Sequence, residues 1–273
     1  MNLKIQPAVT SFMFFLFLLQ GCGKKNNHVD YNLVRITGHE FKYEMPDTIP
    51  AGYNLVRLVN TGTLWHEALI FKFSNDTFTL KEYIDSVNKG IDFPSFSTDV
   101  GGPGMTVPKD SDEVVMDLSP GKYGIVCTID NHLMAGMSKE FYVIKKENTV
   151  SVKPPKEDLT LILSDTGFSF TRPASYGNNL VKVINNGEQY HEVDFIKLNE
   201  GNTKEDYIKW INSRAGLPPC TAVGGTLDFI SGNEVWLPLN LSKGNYVLSC
   251  LVPDVHTGKS HLNMGIIGEF TIK

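Results

Sequence analysis

Cysteine is scarce in this chain, with 4 residues in 273, and histidine numbers only 7. A small disulfide-stapled scaffold is excluded, and each of these side chains can be weighed singly. Positive charge is not in excess: 25 Lys and Arg stand against 30 Asp and Glu, a net charge of -5. No broad basic surface is on offer, so nucleic acid is not expected as a partner. Also missing is an apolar run long enough to cross a bilayer; residues 12–19 (FMFFLFLL) fall well short of the ~20 that a helical span needs. What is present is an ordinary globular content, 41% hydrophobic and 20% charged, on a chain long enough for two domains.

The short apolar run follows Lys4 and ends in Leu19-Gln20-Gly21-Cys22. That arrangement reads as a signal peptide, and its last four residues resemble a bacterial lipobox, whose cysteine becomes the lipid-bearing N-terminus. Residues 1–22 are expected to be a lipoprotein signal peptide ending at Cys22, and residues 23–30 a polar tether. The implied location is the cell envelope, anchored to a membrane through lipid on Cys22 and facing the periplasm or the exterior. Outside the cytoplasm cysteines are usually paired. Cys127, Cys220 and Cys250 remain, an odd number, so at least one thiol is left over. Metal ligation is one reason to keep it.

The chain repeats itself. Val59-Asn60-Thr61-Gly62 leading to Trp65-His66-Glu67 returns as Ile184-Asn185-Asn186-Gly187 leading to Tyr190-His191-Glu192. Gly101-Gly102 returns as Gly224-Gly225, the segment before Cys127 as that before Cys250, and His132-Leu133 as His261-Leu262. Matches in this number and order mean duplication. Residues 31–147 and 158–273 are the two copies, with 148–157 a linker containing Pro154-Pro155. Within each copy, residues 54–59, 179–184 and, more loosely, 113–118 alternate apolar and polar side chains as half-buried strands do. Residues 123–127 and 140–144 read as further strands, and residues 80–87 and 204–211 as one short helical insertion per copy. The fold class expected is all-β: two tandem antiparallel Greek-key β-sandwiches.

A blue-copper centre takes two imidazoles and one thiolate in a near-trigonal plane, with a weak axial ligand. In the first copy His66 follows a strand and turn, Cys127 ends a later strand, and His132 and Met137 complete a Cys-x4-His-x4-Met loop. This pattern resembles the cupredoxin family of type 1 blue-copper proteins, the plastocyanin and azurin relatives, over both copies. The resemblance implies one copper per domain. Site 1 would comprise His66, Cys127, His132 and Met137, with Met134 a rival for the axial place. In site 2 His191, Cys250 and His261 match the in-plane ligands, with His256 a rival imidazole on a longer loop. The axial position there falls on Ile266, or on Met264 if the loop shifts, so a matching methionine is missing. Many relatives brace the copper loop with Asn or Ser after the first histidine; here Glu67 and Glu192 stand there. Cys220 aligns with Phe96 and reads either as a buried thiol or as half of a Cys220–Cys250 disulfide that would abolish site 2.

The resemblance implies an electron carrier rather than an enzyme, serving an unidentified redox partner protein. His132, and by analogy His261, would be the partly exposed ligand through which the electron leaves. Copper storage or delivery is the alternative. A two-domain copper oxidoreductase such as a nitrite reductase would add a further copper centre, typically through a His beside the thiolate Cys. Here Val126 and Thr128 flank one Cys and Ser249 and Leu251 the other, leaving only His28, His39 and His256 unassigned. The Gly101-Gly102-Pro103-Gly104 run reads as a turn, or as a close backbone approach near the metal.

Overall fold

The computed structural model describes residues 31–145 and 153–273. The expected signal peptide, Cys22, the tether with His28 and the first half of the linker lie outside the described residues. No helix among the described residues is long and apolar enough to cross a membrane.

The first half contains strands β1 (Asn32–His39), β2 (Lys42–Glu44), β3 (Thr48–Pro50), β4 (Gly52–Asn60) and β5 (Leu69–Phe73), helix α1 (Leu80–Val87), then β6 (Ser97–Gly101), β7 (Ser111–Leu118), β8 (Gly121–Val126) and β9 (Ser138–Ile144). The second half runs β10 (Leu159–Ser164), β11 (Gly167–Phe170), β12 (Gly177–Asn185), β13 (His191–Leu198), α2 (Lys204–Ser213), β14 (Cys220–Phe229), β15 (Glu234–Leu241), β16 (Gly244–Ser249) and β17 (Ile267–Ile272). The alternation predicted for β4 and β12 is visible as alternating burial, with Val56, Leu58, Val181 and Val183 wholly buried. Each helix begins at a capping box, Thr79 with Glu82 and Thr203 with Asp206, in which side chain and backbone satisfy each other's open groups.

The sandwiches are not purely antiparallel. β1 pairs parallel with β4, β10 with β12, and β3 with β9. Nor are the halves separate bodies on a linker. One sheet runs β11-β10-β12-β15-β7-β4-β1-β2 and the other β17-β16-β13-β14-β6-β5-β8-β9-β3, so both cross the junction. Trp236 of β15 opposes Val115 of β7, and Phe229 of β14 opposes Val100 of β6. Leu227 N donates to Gly102 O at 3.0 Å and Ile230 N to Asp99 O at 3.2 Å.

The glycine run belongs to this junction rather than to a metal or a simple turn. A Cβ on Gly104 would sit 3.0 Å from the backbone carbon of Gly225, and one on Gly102 only 2.0 Å from Ala68 O. Bare backbone at Gly104 lets the halves close, and at Gly102 it lets the loop lie against Ala68 within the first half. The halves also exchange aromatic contacts: Trp65 meets Trp210 of α2 at 5.4 Å between centroids, and Tyr190 stacks on Phe93, just beyond α1, at 4.5 Å. Each aromatic immediately precedes the first histidine of its half.

Candidate metal centres

Strand ends deliver the candidate donors. His66 follows β4 across the turn at residues 61–65, and His191 opens β13. The turn is held by the Asn60 side chain, which donates to Leu64 O at 2.8 Å and Thr106 O at 2.9 Å and accepts from Gly62 N. Asn185 repeats this with Gln189 O, Phe229 O and Gly187 N. Cys127 comes directly after β8 and Cys250 after β16. The loops beyond fold back, with Met137 N donating to His132 O and Ile266 N to His261 O, both at 2.9 Å.

Two buried clusters result. The donor atoms of His66, Cys127 and His132 lie within 4.8 Å of one another, as do those of His191, Cys250 and His261. Cys127 Sγ is 3.3 Å from His132 Nδ1, and Cys250 Sγ is 3.3 Å from His261 Nδ1 and 3.8 Å from His191 Nδ1. His256 is exposed, whereas His261 is wholly buried. Met134 and Met264 are about half exposed, 45% and 48%, while Met137 and Ile266 are buried. Of the rivals weighed in sequence, these are the ones turned away from the clusters.

Cys127, Cys220 and Cys250 are all free, so no Cys220–Cys250 disulfide forms. Cys220 pairs with Leu198 as Ser97 pairs with Phe73, which makes Ser97 its counterpart, not Phe96. The expected partial exposure of the second imidazole also needs correction. His132 is 5% exposed, beneath the edge of Phe41, and His261 is fully buried. The longer loop of the second half closes over His261 through the Pro253–Ser260 bridge.

The protonation chemistry fits a thiophilic cation. Burial, and then His132, lower the pKa of His66 to about 4, and burial lowers those of His132 and His261, which favours neutral, ligand-ready imidazoles at pH 7. Burial pushes the Cys127 thiol up to about 12, and Cys250 is raised for the same reason. Such thiols ionise only when a cation stands beside them, and binding then releases the proton. Both ring nitrogens of His66 are buried without a hydrogen-bond partner, as is Nε2 of His261. Two imidazoles and a thiolate are the donor set that copper takes in near-trigonal sites.

The surroundings of the two clusters differ, and this was missed in the sequence. A Cβ on Gly38 would lie 3.5 Å from Met137 Cε and 3.7 Å from His66 Cδ2. Gly38 pairs with Asn60 as Leu163 pairs with Asn185, so a buried leucine stands where the first half has no side chain. Tyr43, whose hydroxyl donates to Glu67 O and neighbours Cys127, has Phe168 as its counterpart. Phe168 packs with Cys250 and Ile266. Conversely, Asp165 accepts from His191 Nε2 at 2.8 Å, which aims Nδ1 at Cys250. Its counterpart Glu40 accepts from Thr63 and Leu64, as Asp165 does from Glu188 and Gln189, but leaves His66 Nε2 unbonded. Carrying the repeat one strand upstream of residue 59 would have exposed these exchanges.

The glutamates after the first histidines do the bracing expected of Asn or Ser. Glu67 Oε1 accepts from Thr128 N at 3.1 Å and from the Thr128 hydroxyl, and Glu192 Oε1 accepts from Leu251 N at 2.6 Å. Each ties the first-histidine loop to the residue after the cysteine.

This fold with these donor sets defines a blue-copper protein of the cupredoxin class, for which copper is the cofactor. Within that class, residues 8–153 match the sulfocyanin (SoxE) domain family, and the chain belongs to it. Similar solved structures include auracyanin from Roseiflexus castenholzii, 23% identical over 41% of this chain and 97% of that one, with a TM-score of 0.30. Auracyanin A from Chloroflexus aurantiacus is 17% identical over 42% of this chain and all of that one, TM-score 0.33. The copper nitrite reductase of Thermus scotoductus is 14% identical over 89% of this chain and 61% of that one, TM-score 0.25. No curated protein sequence matches the chain.

Proposed function

We propose that the protein is a two-copper electron carrier of the cell envelope, with His66, Cys127, His132 and Met137 holding one copper and His191, Cys250 and His261 a second without a thioether. The observation that carries this reading is the pair of buried His–Cys–His clusters set in unlike surroundings. Copper supplies reversible one-electron chemistry between Cu(I) and Cu(II). The chain supplies donors fixed by strand ends and braced loops, which keeps rearrangement between the two states small. Leu163, Phe168 and Ile266 make the second site dry and sulfur-poor, a setting that raises a copper reduction potential. The second seat would then favour the reduced ion, and His132, beneath the exposed edge of Phe41, would be the place of exchange with a redox partner protein. The lipobox-like sequence ending at Cys22 supports membrane anchoring.

Copper reconstitution of the full chain in detergent tests the assignment. Two coppers per chain are expected, and Cys127→Ser and Cys250→Ser should each lose one copper together with its own visible thiolate-to-copper band. A Cys127→Ser protein that keeps the complete wild-type spectrum would overturn the first site.

A further inference from the structure

A cavity of about 370 Å3 lies at the junction of the two halves, between the clusters. Glu67 and Thr128, neighbours of His66 and Cys127, line it from one side; Glu192 and Leu251, neighbours of His191 and Cys250, line it from the other. Three further buried carboxylates complete the wall: Asp99 of β6, Asp194 of β13 and Asp228 of β14. Among the described residues, Arg214 is the sole basic side chain that lines it.

Duplication does not account for these aspartates. The offset between repeats is 125 residues at His66 and His191 and 123 at Gly101 and Gly224. Asp194 therefore corresponds to Leu69, Asp99 to Ala222 and Asp228 to Met105. Each acid faces an apolar counterpart, so the charge is particular to this junction. Most of the other lining acids have partners. Glu67 holds Thr128, Glu192 holds Leu251 N, and Asp194 Oδ1 accepts from Met105 N at 3.4 Å. Asp228 is 8% exposed, and its Oδ2 has no hydrogen-bond partner. Asp99, 3% exposed, stands beside it on the strand pair that joins the halves. Burial and the neighbouring Asp228 push the Asp99 carboxyl well above the usual range, and burial raises Asp228 too. The two carboxyls can hydrogen-bond each other when one is protonated, but an unpartnered Asp228 Oδ2 in such a place still costs several kcal/mol unless a proton or a cation meets it.

We propose that this cavity binds a partly hydrated hard divalent cation of the Mg2+/Mn2+ class, held by Asp99 from one half and Asp228 from the other. All-carboxylate donors suit hard cations and offer copper neither imidazole nor sulfur. Among the described residues, no third His, Cys, Asp or Glu donor converges on this pair within 4.8 Å, so no cage of three carboxylates is built here. Two carboxylates and retained waters are the usual terms on which Mg2+ and Mn2+ bind, and the cavity has room for that water. Binding displaces protons from the two carboxyls, so affinity rises with pH.

The test is Mn2+ titration of the copper-loaded full chain in detergent, following the electron paramagnetic resonance signal of free Mn2+. One Mn2+ per chain, displaced by Mg2+, is expected. Asp228→Asn and, separately, Asp99→Asn should each weaken binding at least tenfold while the visible copper bands persist, which shows that the fold is intact. Should one variant fail to fold, the other still decides. Absence of saturable Mn2+ uptake by the wild type, or equal uptake by the folded variants, overturns the proposal and assigns the carboxyls to protons alone. Because the copper bands are read separately, failure of this site and failure of the electron-carrier reading are distinguishable.

Discussion

Gly38 and Leu163 occupy one position in the two halves, and they leave different room beside the two donor clusters. Met137 Cε and the His66 ring both lie within 4 Å of where a Gly38 Cβ would stand, whereas the same register position of the second half carries the buried Leu163 side chain. Ile266→Met alone keeps the volume but lengthens the side chain in a closed core, a change of shape that costs up to about 1.5 kcal/mol. The Leu163→Gly/Ile266→Met pair restores both the room and the sulfur. The expected outcome is that the double variant lowers the potential of the second copper toward that of the first, measured by redox titration of its visible band, whereas the single Ile266→Met variant loses stability with little change in potential. An equal potential drop in the single variant would mean that Leu163 does not guard the axial place.

At the scale of elements, β6, β7, β14 and β15 bear the junction, and β7 carries its most informative carboxylate. Asp112 accepts from Gly104 N and Glu113 N, both at 2.8 Å, yet burial, with Glu113 nearby, raises it to about 7. The folded chain therefore holds this proton at pH values where the unfolded chain has lost it. The associated stability is complete below about pH 4 and is lost as pH rises through 7, with a slope of at most ~1.4 kcal/mol per pH unit. Denaturant unfolding of the copper-loaded protein between pH 5 and 8 should show this decline, and Asp112→Asn should flatten part of it.

The strands themselves were largely legible in the sequence, because β4, β12 and β7 alternate with period two and each helix opens on a threonine cap. The in-plane donors were legible because the repeat brings each of them up twice. Which sheet edges meet was not, since alternation says which face is buried and nothing about the neighbour along the hydrogen bonds. For that reason the parallel β1–β4 and β10–β12 pairs, the shared sheets and the junction carboxylates emerge only in three dimensions. The alignment slip at Cys220 has a plainer cause, the drift of the repeat offset through the inserted helices.

For the whole molecule, sheets that pass through the junction make separate unfolding of the halves costly. Dividing the chain there would strip the exposed edges of β6, β7, β14 and β15 of partners and open Trp236, now 1% exposed, to water. Calorimetry of the copper-loaded chain should give one cooperative transition, with calorimetric and van't Hoff enthalpies in agreement. Two resolved transitions would show the halves to be independent.

The palindromic strand order has a further meaning. Two identical single units, mated edge to edge about a twofold axis, would produce the same strand order apart from β3, and every substitution in one unit would appear in its mate. A covalent tandem escapes that rule. Met137 opposite Ile266, Asp228 opposite Met105 and Asp112 opposite Val235 are one-sided changes that only a fused pair can hold. A tandem of this kind is an object with a direction, with unlike surroundings at its two donor clusters and buried carboxyls at the seam between them.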